Sequence, residues 1–66
     1  MIEIALNGAW VKSSAITVVE FVREREMPVN GVAVALNGEV VPRSEWPITY
    51  LKTSDRIEIV TAAAGG

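Results

Sequence analysis

Two Asn-Gly pairs constrain this chain more than any other feature. Asn7-Gly8 and Asn37-Gly38 each follow Ala-Leu, and each separates two runs of alternating apolar residues. Asn and Gly both tolerate positive φ, which the two central positions of a type I′ turn require, so each pair predicts a tight antiparallel hairpin. The first hairpin joins a strand over 1–6, where Ile2, Ile4 and Leu6 alternate with Glu3 and Ala5, to a return over 9–12 that carries Trp10 and Val11. The second joins 31–36, with Val32, Val34 and Leu36 on one face and Ala33 and Ala35 on the other, to 39–41. Pro42 ends that return because it has no N–H for the ladder. The repeated Ala-Leu-Asn-Gly reads as convergence on one turn chemistry, since the similarity fades within a few residues.

One helix is expected between the hairpins. Thr17 and Glu20 have capping-box spacing, and Ile16 and Phe21 stand where a hydrophobic staple would. Val18, Phe21 and Val22 form an apolar stripe at i, i+3, i+4. Arg25 stands where the stripe would continue, and its methylenes are expected to lie on the core edge. Pro28 disfavours helical angles at Met27, so the helix should stop near Glu26. A helix of about two and a half turns does not survive alone and needs a sheet to lie on. Residues 43–54 read as an irregular crossover in which Ser44-Glu45-Trp46 makes a single helical turn before Pro47, while Leu51 and Trp46 plug the core. The last strand covers 56–61, with Ile57 and Ile59 inward and Glu58 and Val60 outward. A helix-containing connection lets the first and last strands pair in parallel in the middle. The expected fold is α+β: a ubiquitin-like β-grasp, with a mixed five-stranded sheet in the order 2-1-5-3-4 and one main helix on one face. The domain spans 1–61, and 62–66 form a flexible C-terminal tail.

Size and composition exclude several kinds of function. A chain of 66 residues buries only ~60% of its unfolded surface and has no room for an enclosed active-site cavity. It contains no Cys and no His, hence no thiol nucleophile, no zinc thiolate site and no histidine base. A net charge of −2 gives no footprint for nucleic acid. No apolar run approaches the ~20 residues needed to span a bilayer. Met1-Ile2-Glu3 does not open a signal peptide, so a cytoplasmic location is expected. Glu3, Glu39, Glu45 and Glu58 fall on exposed or edge positions without a pocket to raise a pKa, and make no catalytic dyad. The charged run from Glu20 to Glu26 reads as a solvated helix face. Trp10, Trp46 and Tyr50 read as core or edge packing rather than as ligand-stacking residues.

Two features remain. Ala33, Ala35, Glu58 and Val60 should share the sheet face away from the helix, either as plain solvated surface or as a docking surface beside the root of the tail. The tail itself is Ala62-Ala63-Ala64-Gly65-Gly66. It is a frayed end or a working one. Gly65 and Gly66 have no Cβ, so this segment is thin enough to thread a narrow channel. A carboxylate on Gly66 is a poor electrophile until another protein activates it, for instance as an acyl-adenylate.

The run from Val34 to Arg43, the segment Ser54-Asp55-Arg56-Ile57-Glu58-Ile59-Val60-Thr61-Ala62, and Gly65-Gly66 closely resemble the sulfur carrier protein of thiamine (thiazole) biosynthesis. The Leu-Asn-Gly-Glu-Val-Val-Pro-Arg stretch is specific to that family, and the resemblance covers the chain. It implies a carried substrate rather than an enzyme, with no bound cofactor and a free monomer. An ATP-dependent, E1-like adenylyltransferase would adenylate Gly66. A sulfur-donating desulfurase system would convert the adenylate to a thiocarboxylate, and thiazole synthase would take the sulfur. Gly65, Ala64, Ala63 and Ala62 would give access. Two positions depart from the family pattern: Arg25 stands at a usually apolar helix site, and Ser54 replaces a usual Gly before the last strand. Alternatives are the sulfur carrier of molybdopterin synthesis, which is usually longer and more aromatic before Gly-Gly, and a ubiquitin-like modifier or binding module.

Overall fold

The computed structural model describes residues 1–28 and 30–61. Its strands are β1 (Ile2–Leu6), β2 (Ala9–Ser13), β3 (Val32–Leu36), β4 (Glu39–Val41) and β5 (Arg56–Thr61), with helix α1 (Val18–Glu24) and a 3-10 helix over Arg43–Ile48. They form one sheet in the order β2-β1-β5-β3-β4. The β1–β5 pair is parallel and the other pairs are antiparallel. This is the ubiquitin-like β-grasp.

Both hairpins turn as their sequences dictate. Asn7 and Gly8 have φ of 50° and 88°, and Asn37 and Gly38 have 51° and 89°, the left-handed angles of a type I′ turn. The asparagines also reach across to β5. Asn7 Oδ1 accepts from the Ile59 N–H at 2.9 Å and Asn7 Nδ2 donates to the Ile59 carbonyl at 3.2 Å. Asn37 Oδ1 accepts from the Arg56 N–H at 2.9 Å and its Nδ2 donates to Asp55 Oδ1 at 3.1 Å. The repeated tetrapeptide therefore serves two purposes: it makes the turn, and its amide grips the central strand.

Val18, Phe21 and Val22 of α1 are fully buried against Ile4, Val34, Ile57 and Ile59. Trp46, 1% exposed, is the largest fully buried side chain. Its indole N–H donates to the Val41 carbonyl at 2.9 Å, which satisfies the one polar atom that its burial would otherwise orphan. Leu51 packs against the same core.

The helix ends differ from the expected pattern in detail. The Thr17 side chain accepts from the Glu20 N–H at 3.4 Å, but the Glu20 carboxylate accepts from the Ile16 N–H at 2.8 Å rather than closing the box on Thr17. Extended Thr17 is instead paired with Tyr50 in an isolated bridge. Ile16 stays exposed and forms no buried staple. At the other end α1 stops at Glu24. Glu26 takes a left-handed φ of 58°, its N–H donates to the Arg23 carbonyl, and the Met27 N–H donates to the Val22 carbonyl. That is a Schellman cap with Glu in the place that usually favours Gly. Arg25 lies half-buried with its guanidinium 5.5 Å from the Phe21 ring centre. Its Nη2 donates to the Lys12 carbonyl on the outer strand β2 at 3.1 Å.

Three further expectations are corrected. The segment before Pro47 is a six-residue 3-10 helix that runs through the proline, not a single turn; the fixed φ of Pro suits 3-10 geometry, and its missing N–H removes one bond at most. Trp10 and Tyr50 do not pack inside: they are 60% and 68% exposed. Trp10 lies opposite Ala5, so it shares the outward face of the sheet, while Val11 and Ser13 face the core side.

Ser54 adopts a φ of 75°, the left-handed conformation that a family-typical Gly would take more easily. Next to it, Asp55 is 3% exposed. Burial pushes its carboxyl upward, but hydrogen bonds from the Lys52 N–H and the Asn37 amide, with the nearby Lys52 ammonium, outweigh this and hold it below the ordinary aspartate range.

Two stability predictions follow from this turn. Ser54→Gly should stabilise the domain by about 0.5–1 kcal/mol, seen as a rise in Tm of a few degrees in calorimetry. Asp55 has a lowered pKa in the fold, so its contribution is present above its unfolded value of about 3.9 and is lost as pH falls through the lower folded value. The urea midpoint should therefore drop below about pH 4, and Asp55→Asn should flatten that drop while costing about 2 kcal/mol at pH 7.

Candidate functional site

The predicted working end, Gly66 with Gly65, Ala64, Ala63 and Ala62, lies outside the described residues. The structure describes the platform from which it departs. Strand β5 sits in the middle of the sheet and ends at Thr61, which is paired with Val32. The tail root is thus the end of the central strand, paired there with β3, while the β1 pairing stops at Ile57.

The four predicted docking residues come together. Across β3 and β5, Ala33 is paired with Val60 and Ala35 with Glu58. They form one block on the sheet face away from α1. Val60 is 62% exposed, Ala33 and Glu58 are exposed, and Ala35 is half-buried. Val60 is adjacent to Thr61 in the chain, so the block begins at the tail root.

The face extends further than the sequence reading placed it. Val40, paired with Ala35, is 75% exposed on β4. Arg56 lies two residues before Glu58 on the same face of β5, and Trp10 stands on β2 across from Ala5. A signal for Trp10 was present. A two-residue turn at Asn7-Gly8 pairs Leu6 with Ala9, and counting back one pair sets Trp10 beside outward Ala5. Val40 was similarly available from its alternation with buried Val41.

Arg56 and Glu58 separate two shallow clefts and line both. One is bounded by Asn37 and Gly38, the other by Ala5, Gly8 and Trp10. The surface thus combines exposed apolar side chains with one cation and one anion. This composition fits a protein partner better than a small ligand, which needs a deeper enclosure. Among the described residues no group of three or more His, Cys, Asp or Glu could hold a metal ion. No described helix is long and apolar enough to cross a membrane.

The two carboxylates with shifted pKa values lie elsewhere. Asp55 is at the end of β5 opposite Thr61. Glu24 is held below its usual range chiefly by the Ser13 hydroxyl at 2.7 Å, with further bonds from the Ser14 N–H and hydroxyl and the Arg25 charge; desolvation opposes them. Glu24 ties the 13–15 loop to α1. Neither group lies at the tail root.

Comparison with known proteins agrees with this layout. The model of the ThiS family matches residues 2–66. The crystal structure of a thiamine biosynthesis protein (ThiS) from Geobacter metallireducens superposes with a TM-score of 0.84 at 26% identity, covering 98% of this chain and all of that one. The solution structure of a thiamine biosynthesis protein from the same organism gives 0.81 at 26% identity, over 98% of this chain and 88% of the other. No curated relative matches in sequence. With the family pattern running through the β-grasp body to residue 66, the chain belongs to the ThiS family.

Proposed function

We propose that this chain is the sulfur carrier of thiamine biosynthesis, with the carboxylate of Gly66 as the atom group on which partner enzymes work. The family match over residues 2–66, which includes the Gly-Gly end, carries this reading. In it the protein is a cosubstrate and not an enzyme. An ATP-dependent, E1-like adenylyltransferase joins the carboxylate to AMP and releases pyrophosphate. The sulfur of a desulfurase-derived persulfide then attacks the acyl carbon and AMP leaves. Thiol reduction of the resulting S–S bond leaves a thiocarboxylate, from which thiazole synthase takes the sulfur. No cysteine is needed in the chain, because sulfur is carried on the terminus.

The outer sheet face would present this end to its partners. Small Ala33 and Ala35 let another backbone approach closely, Val60 supplies apolar area next to Thr61, and Glu58 supplies a charge to pair. Such a face buries well against a complementary surface, while its charged centre limits self-association. The carrier then works in a cytoplasmic, reducing setting, consistent with a chain lacking Cys.

Two experiments test the reading. Incubation with an adenylating partner, ATP and a sulfur donor should change the intact mass by one oxygen replaced with sulfur. Deleting Gly66 should abolish the change while leaving the circular dichroism spectrum intact; an unchanged mass for the full chain with a competent partner would refute the proposal. Val60→Glu or Ala35→Arg should weaken partner binding about tenfold, or ~1.4 kcal/mol, in calorimetric titration with little effect on Tm.

A further inference from the structure

We infer that Asn7 is a positioning residue for the tail: its side-chain amide fixes the last stretch of β5 on the β1 side, and with it the place and direction of Thr61. This rests on the sulfur-carrier reading, in which the chain beyond Thr61 must reach a partner's active site.

Strands β1 and β5 are paired at only two positions, Ala5 with Arg56 and Leu6 with Ile57. Main-chain bonds along this seam include the Ser54 N–H to the Glu3 carbonyl at 2.8 Å, the Ala5 N–H to the Asp55 carbonyl at 3.0 Å and the Asn7 N–H to the Ile57 carbonyl at 2.9 Å. The next rung would need a main-chain partner for Ile59. None can come from β1, because the chain reverses at Asn7, whose φ is 50°. The Asn7 side chain takes that place with both halves of its amide, accepting from the Ile59 N–H at 2.9 Å and donating to the Ile59 carbonyl at 3.2 Å. Ile59 lies two residues before Thr61. On its other side β5 is held by β3, with Val60 paired to Ala33 and Thr61 to Val32. A strand end held on one side only can pivot about that ladder. Held on both, it is a fixed launching point.

The molecule supplies its own control. Asn37 also precedes Gly, also has a φ near 50°, and also makes two side-chain bonds to the β5 region, but to Arg56 and Asp55 at the far end of the strand. Loss of either amide should destabilise the sheet to a similar extent. Only the Asn7 amide acts near Thr61.

Asn7→Gly and Asn37→Gly keep the turns, since Gly accepts positive φ freely, and each removes two side-chain bonds. Thiocarboxylate formation with the adenylating partner is measured at a temperature where both variants are folded, as kcat and KM for the carrier. Asn7→Gly should lower kcat about tenfold, the scale on which small misplacements of reacting groups act, with KM nearly unchanged because the docking face is intact. Asn37 borders one cleft of the docking face, so any effect of Asn37→Gly should fall on KM, with a much smaller loss of kcat than in Asn7→Gly. Amide exchange should speed up selectively at Ile59 in the first variant and at Arg56 in the second. Asn7→Asp keeps the acceptor for the Ile59 N–H and loses the donor, so it should fall between wild type and Asn7→Gly, and it serves if the glycine variant does not fold. A normal kcat for the Asn7 variants, or an equal loss in Asn37→Gly, would overturn this inference alone. Failure of the wild-type chain to be converted would refute the sulfur-carrier reading, and this inference with it.

Discussion

A short parallel seam between the first and last strands holds this protein together. Through it β5 joins the two hairpins into one sheet, and only then does α1 have a surface on which to bury Phe21, Val18 and Val22. Parallel pairing is slightly weaker per residue than antiparallel pairing, and closing a seam between distant parts of the chain costs entropy. Two paired positions are little to set against that. The seam is reinforced by burial of Ile4 and Ile57, each worth about 1.5–3 kcal/mol, by the buried Asp55 turn, and by the Asn7 amide at its end.

Much of this was legible beforehand. Strand order, the parallel centre and the inward set Ile4, Val34, Ile57 and Ile59 all follow from two turn signals, one capped apolar stripe and a period of two. The left-handed Ser54 was legible too, as a residue standing where Gly is usual. What escaped were matters of side-chain reach and register. The grip of Asn7 on Ile59 joins residues 52 apart in the chain, and no local pattern encodes that. The Glu20 carboxylate bonds the Ile16 N–H rather than that of Thr17, next to a bridge between Thr17 and Tyr50 that the spacing of the cap does not encode. Bulk alone reads Trp10 as core or edge packing, and the register of its hairpin turns it outward on the edge strand β2. Of the candidate site, the block Ala33, Ala35, Glu58 and Val60 assembles as read, and its extension through Val40, Arg56 and Trp10 emerges only with the full sheet.

The two sides of the sheet carry different demands. The inner side is filled by Trp46, Phe21 and branched aliphatic side chains, which leave little freedom for substitution. The outer side carries small residues, charges of both signs and three large exposed apolar side chains, on a backbone stiffened from behind. Under the sulfur-carrier reading this separation lets the docking face change without touching the core. Arg25 adds protection at the border: by bonding the Lys12 carbonyl it occupies one open main-chain acceptor of an outer strand, where unpaired groups invite association with other chains.

The gripping asparagines also bear on chemical ageing. Asn followed by Gly is the dipeptide most prone to deamidation, because the unhindered glycine nitrogen can close on the asparagine side chain to form a succinimide. That closure requires the amide to swing toward its own backbone. In the folded chain the amides of Asn7 and Asn37 are each held by two bonds directed at β5 and its leading turn. Their lifetime is thereby tied to the integrity of the sheet: a chain that opens exposes both amides to hydrolysis, and each conversion to aspartate removes a donor that the refolded sheet would need.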